Sequence, residues 1–367
     1  MWLYYGLVVY ILILAFVLWG MHNEDQKKKI YLFLTFGLFF LLAAFRSNSV
    51  GNDTLTYIKL FETTQYSGIA NFGERYEIGY LVLNKLLGYI SSNPQIILIA
   101  TSIIIIFGYW RFVWKYSMMP WLSVYLFFTM GYFGATLNTI RHNIAIVILL
   151  LSFDFILKRK LSYFVALVLL ASLFHNTAII FIIAYPMVML RLNYKTVFIS
   201  LGTAIAGYLF FPKMLNVIIS FFPRYSYYLG GKYLDGNIRL ATIVDILVSV
   251  AILSIGLIIY YKNTQSILLK ESQNVESREF EILTILTLIG IVISFISLNF
   301  NLLDRAGTYF HIFSIIYLPN ALKQIKNNKL YPMLVYLAII LFFVYSTIIQ
   351  IYRSEWNDIF PYSFFWG

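Results

Sequence analysis

Apolar runs long enough to cross a bilayer recur from one end of this chain to the other, and they constrain its fold more than any other feature. A helix of roughly 20 apolar residues spans a hydrocarbon core of about 30 Å, whereas a strand runs only about 4–8 residues. Runs rich in Val, Ile and Phe therefore read as helices, despite side chains that favour strands. Of the 367 residues, 60% are hydrophobic and 12% charged, about half the charged share of a soluble domain. The expectation is an all-α, polytopic integral membrane protein. A single transmembrane domain covers 1–367, with no room for a separate soluble one.

The chain has no cysteine, so thiol catalysis, disulfides and thiolate metal sites are excluded. The first run, Trp2 to Gly20, lacks a basic region before it and a small-residue cleavage site after it, and reads as a first span rather than a signal peptide. A net charge of +11 would suggest nucleic acid in a soluble protein. In a membrane protein the placement of that charge between loops is what matters, and no nucleic-acid partner is expected.

Basic clusters at Lys27-Lys28-Lys29, Lys158-Arg159-Lys160 and Lys323/Lys326/Lys329 mark cytoplasmic loops. Placing all three inside sets the parity of the spans between them. The amino terminus is then outside, 46–94 is a large external loop, Arg111 and Lys115 are inside, and the turn before Asn138 is outside. Residues 213–239 are external, 262–279 cytoplasmic and the carboxyl terminus external. This arrangement puts the larger share of the 27 Lys and Arg inside, and more of them than the rival arrangements do. It implies about twelve crossings. Tyr76 to Ile90 is apolar but carries Glu77, Asn84 and Lys85, as expected of an external helix lying on the membrane. Runs 161–174 and 176–190 are short for spans, so their junction at His175-Asn176 is expected below the outer surface. Short, interrupted spans are where membrane proteins build sites.

Basic residues inside have a simple cause in the insertion rule, so those outside are the informative ones. They include Arg46, Arg141, Arg239 and Arg305, accompanied by His175 and by Asp53, Glu77, Asp235 and Asp304. Arg141 is either an interfacial arginine snorkelling to headgroups or a guanidinium fork aimed at phosphate. Asp53 suits a helix N-cap after a turn at Gly51-Asn52, or faces the same cavity. His175 is either a hydrogen-bonded core histidine or a group placed to take a hydroxyl proton. Asp304 and Arg305 could simply pair with each other at the surface. His142 carries a weaker signal, His311 reads as a packing histidine and His22 as a loop residue. Asp154 and Asp245 lie in spans without an obvious partner. Around Arg224–Tyr233 an aromatic, basic loop broken by glycines could form an interfacial belt or stack on sugar rings.

The ordered set Phe45-Arg46, Val50-Gly51-x-Asp53-Thr54-x-x-Tyr57, Glu77-x-Gly79-Tyr80, Asn138-x-x-Arg141-x-x-Ile144-Ala145, Phe174-His175-x-Thr177-Ala178 and Arg305-x-x-x-Tyr309-Phe310 resembles the EpsG family of Wzy-like polysaccharide polymerases. His142 departs from the glutamine more usual there. The resemblance implies a metal-independent glycosyltransferase without a cofactor, active at the outer face of a bacterial cytoplasmic membrane. Such a protein polymerises undecaprenyl-pyrophosphate-linked oligosaccharide units for a capsule, exopolysaccharide or O-antigen, in company with a flippase and a chain-length regulator. Carried onto this chain, the catalytic set is His175, Arg141, Asp53 and Glu77. The substrate-binding set is Arg46, Arg141, His142, Arg239, Arg305, Tyr309 and Tyr57. A lipid-linked oligosaccharide transporter would also line a cavity with arginines, and a glycan ligase would differ only in its acceptor.

Overall fold

The computed structural model describes residues 2–72, 75–221, 240–267, 275–299, 303–352 and 357–366. Among them the chain is helical throughout, and β structure is limited to one isolated bridge between Arg46 and Phe364. Helices α1 (Trp2–Val17), α2 (Glu24–Ala44), α3 (Thr54–Tyr66), α4 (Ile78–Gly88), α5 (Gln95–Tyr116), α6 (Pro120–Thr129), α7 (Tyr132–Asn138), α8 (Ile140–Leu157) and α9 (Leu161–Ser172) lead into a 3₁₀ segment, Asn176–Ile183. They are followed by α10 (Ala184–Met187), α11 (Tyr194–Phe221), α12 (Leu240–Ile267), α13 (Val275–Ser297), α14 (Leu303–His311), α15 (Ser314–Lys323) and α16 (Leu330–Tyr352). The chain forms two compact units, one of Met1–Ile179 with Lys326–Gly367, the other of Ile180–Ile325.

Among the described residues seven helices are long and apolar enough to cross a membrane, namely Trp2–Gly20, Gln95–Tyr116, Ile140–Leu157, Tyr194–Phe211, Leu240–Lys262, Arg278–Ser297 and Leu330–Tyr352. The expected count of about twelve is not reached on this measure, and the reasons are local. The run expected over 119–136 divides into α6 and α7 at Gly131, whose φ of +81° suits a residue without a side chain. Helix α9, at 12 residues, is about 18 Å long. Helix α2 opens with Glu24, Asp25 and three lysines in its first two turns. Helices also run further than expected: α11 continues to Phe221, and α12 and α13 extend into the expected loop 262–279.

In the first unit, side chains join loops at two ends. At one end the guanidinium of Arg46 donates to the Ala43 carbonyl, to the Leu137 carbonyl at 3.1 Å and to the Thr54 hydroxyl at 3.3 Å. Ala43 and Leu137 lie in the last turns of α2 and α7, where carbonyls lack helical partners. One buried cation thereby caps two helix ends. Gln95, opening α5, donates to the Ala44 carbonyl at 2.7 Å. The segment 357–366 returns to the same place. Gly51 N–H donates to the Asp358 carbonyl at 2.8 Å and Ser47 N–H to the Ser363 carbonyl at 2.9 Å, and Phe365 N–H donates to the Phe45 carbonyl at 3.0 Å.

At the other end Asp154 collects Arg111 at 2.7 Å, Lys115 and the Tyr116 hydroxyl, so the aspartate that lacked a partner in the sequence has three. Lys28 lies over the Trp114 ring at 5.4 Å.

The second unit packs α11 to α15 together. Asp304 accepts from Thr242 at 3.1 Å and from Ser297, so it is held by hydroxyls of the bundle. His311 sits between Ser249 at 3.2 Å and Ser294 at 2.7 Å, the setting of a packing histidine.

Candidate active site

Helix α4 begins where the chain leaves Tyr76 and Glu77. Its second residue, Gly79, donates its N–H to the Leu173 carbonyl at 2.8 Å, at the end of α9. A Cβ at Gly79 would lie 2.7 Å from that carbonyl oxygen, so only glycine permits the approach. This contact brings Glu77 against the α9 junction.

Helix α8 supplies the opposing wall. The break between α7 and α8 is pinned by amides: Asn143 donates to the Ala135 carbonyl at 2.9 Å and accepts from the Tyr109 hydroxyl at 2.9 Å. Asn138 donates to the Asn357 carbonyl at 2.8 Å. Arg141 follows in the first turn of α8, where that pinned break decides its position.

Glu77 joins the two walls. One carboxylate oxygen pairs with Arg141, and the other lies 3.1 Å from Nδ1 of His175 and 3.4 Å from the Asn176 N–H. Burial opposes ionisation of Glu77, but the His175 hydrogen bond and the Arg141 charge outweigh it and bring the carboxyl down to about 2. An ionised carboxylate can only accept, so Nδ1 carries the hydrogen and Nε2 is the ring nitrogen turned away from Glu77. That Nε2 is buried without a partner, as is Nε of Arg141. The Tyr57 hydroxyl is hydrogen-bonded to the same guanidinium, and the Tyr76 ring lies 5.2 Å from it. Such an arrangement can take a proton at one point and hold an anion beside it.

The structure distributes the remaining candidates as follows. His142 is buried, its ring 5.1 Å from that of His175. Asp53 occupies the N-cap position of α3 but its side chain makes no capping bond and is exposed. Thr54 instead donates its hydroxyl to the Val50 carbonyl at 2.6 Å. Arg46 is 1% exposed, and its donors face chain carbonyls and Thr54, an internal clamp rather than an open cation. Arg305 and Tyr309 belong to the second unit, Arg305 exposed and Tyr309 buried within it. Arg239, Asp235 and the Arg224–Tyr233 loop lie outside the described residues. Two features were not anticipated from the sequence. Arg75 shares the Tyr76 ring with Arg141, at 5.5 Å, and an arginine next to a tyrosine in a loop carries no distinctive pattern. The Asn357–Asn138 contact closes a long span of chain and leaves no local trace.

These features define a multi-pass membrane protein whose half-buried histidine, carboxylate and arginine meet where short helices end. The family model matched by residues 29–364 is that of the EpsG family, and the chain belongs to it. EpsG is a family of Wzy-like polysaccharide polymerases, and membership supports a polymerase-like role in polysaccharide synthesis. No curated protein and no solved structure matches the chain.

Proposed function

We propose that this chain is a glycosyltransferase that polymerises undecaprenyl-pyrophosphate-linked repeat units at the outer face of the cytoplasmic membrane. The growing glycan leaves its carrier and joins the sugar end of a new lipid-linked unit, for a capsule, exopolysaccharide or O-antigen. The observation that carries this reading is Glu77 bridging Arg141 and His175 while His175 Nε2 and Arg141 Nε stay buried without partners.

The roles follow from the chemistry of each group. Nε2 of His175 takes the proton of the acceptor hydroxyl as its oxygen bonds to the anomeric carbon of the donor. The bond from that carbon to the carrier phosphate breaks, and the electron pair leaves with the diphosphate. Arg141 stabilises the charge that develops there. Glu77, with both oxygens occupied, acts as a positioning residue that fixes the tautomer of His175 and the direction of Arg141. Tyr57 steadies the guanidinium, and His142 packs behind the base.

Deleting the gene and running lipid-linked and surface glycans on a gel tests this. Loss of the polymer ladder is expected, with single repeat units still reaching the outer face. The native chain restores the ladder, while His175→Ala and Arg141→Ala do not. Accumulation of single units on the inner leaflet would instead identify a transporter.

A further inference from the structure

We infer that α4 docks the polyprenyl-diphosphate end of one lipid-linked substrate, with Arg75 joining Arg141 on the diphosphate and the outward face of α4 holding the first isoprene units. The inference rests on the lipid-linked substrate proposed above and adds a location and a residue to it.

Helix α4 has two faces. Tyr80, Leu81, Asn84 and Leu87 are buried, while Ile78, Val82 and Leu86 form an exposed apolar stripe at every fourth position. At 11 residues the helix is about 16 Å long, too short to cross a bilayer. Its stripe therefore suits the level where a lipid tail meets its headgroup. The same helix starts at the candidate active site, since Glu77 occupies its N-cap position.

Charge selects the occupant. The guanidinium carbons of Arg75 and Arg141 lie 5.5 and 5.2 Å from the centre of the one Tyr76 ring. Two cations held on one ring repel each other, and a multiply charged anion relieves that repulsion. A diphosphate offers several oxygens to two planar forks, whereas a phospholipid such as phosphatidylglycerol offers a single charge. A diphosphate on an isoprenoid tail combines both requirements: an anion at the start of the helix and a flexible apolar chain along its side.

The test is undecaprenyl diphosphate titrated into the full chain in nanodiscs of phosphatidylcholine, with retained lipid read by native mass spectrometry. Arg75→Gln and Leu86→Ser are each expected to weaken retention about tenfold, with Arg75→Lys weakened less. Tenfold excess phosphatidylglycerol is expected to leave wild-type retention intact. In polymerisation assays Arg75→Gln should raise KM for the lipid-linked substrate. Wild-type retention in both Arg75→Gln and Leu86→Ser overturns the docking site, as does displacement by phosphatidylglycerol. Because both side chains are exposed, misfolding does not confound either variant. If the variants lose retention but the wild type makes no polymer from intact repeat units, the docking site stands and the polymerase reading falls.

Discussion

Glu77 accepts a hydrogen bond from Nδ1 of His175 at 3.1 Å across 98 positions of chain. The carboxylate sits just before one short helix, α4, and the histidine just after another, α9, so neither helix alone contains the pair. His175 is thereby oriented from behind, with its free nitrogen turned away from its partner.

His175→Ala removes the proposed base together with its hydrogen bond to Glu77, while Nε2 has no partner to lose. Polymer formation should fall about 10²- to 10⁴-fold, with the amount of protein in the membrane unchanged. Single-turnover assays with a lipid-linked repeat unit measure it, and a rate near wild type would remove His175 from the chemistry.

The depressed Glu77 carboxyl sets a pH window. Its folded value of about 2 lies below the ordinary 4.5. The stability it contributes is therefore complete above about pH 4.5 and is lost as pH falls toward 2. Thermal unfolding of wild type and Glu77→Gln should differ by a constant amount from pH 8 to 5 and converge only below that range. Convergence already between pH 7 and 6 would contradict the assigned pairing.

Arg141→Lys keeps the charge and loses the planar fork that meets Glu77 and, in the proposed role, a phosphate. The expected loss is on the order of 10²-fold in polymer yield at equal protein level. Normal chain length in this variant, judged from the ladder on a gel, would sink the assignment of Arg141.

Arg46→Leu addresses structure rather than substrate. It leaves the Ala43 and Leu137 carbonyls without their donor, at a cost of about 2–4 kcal/mol. A lower unfolding temperature with unchanged KM in the surviving protein is the expected result. Full stability combined with a raised KM would return Arg46 to the substrate.

Gly79→Ala forces a Cβ to within 2.7 Å of the Leu173 carbonyl oxygen. Backbone cannot yield as a flexible side chain would, so α4 must shift and carry Glu77 off His175. Activity should drop about 10²-fold with the helix content by circular dichroism preserved.

The class of fold was legible because lipid imposes it: long apolar runs and basic loops follow from solvation alone. Glu77, Arg141 and His175 also stood out, as charges that neither packing nor insertion requires, and the structure brings them together. The role of Arg46 was hidden, because an arginine at the end of a run looks the same whether it meets headgroups or carbonyls of a distant helix. Asp154 was hidden for the same reason, its partners lying on α5, about forty residues away. The number of spans was less legible, because hydropathy registers apolar residues and not the breaks between them, such as Gly131.

The return of residues 357–366 to Arg46, Gly51 and Asn138 has a consequence for biogenesis. Helices enter the membrane in order of synthesis, and this segment follows α16, after every wall of the site has been inserted. The turn at Gly51 and the end of α7 are hydrogen-bonded to it, through Asp358 and Asn357. The walls of the candidate site are thus made before residues 357–366, the segment whose carbonyls hold the turn at Gly51 and the side chain of Asn138.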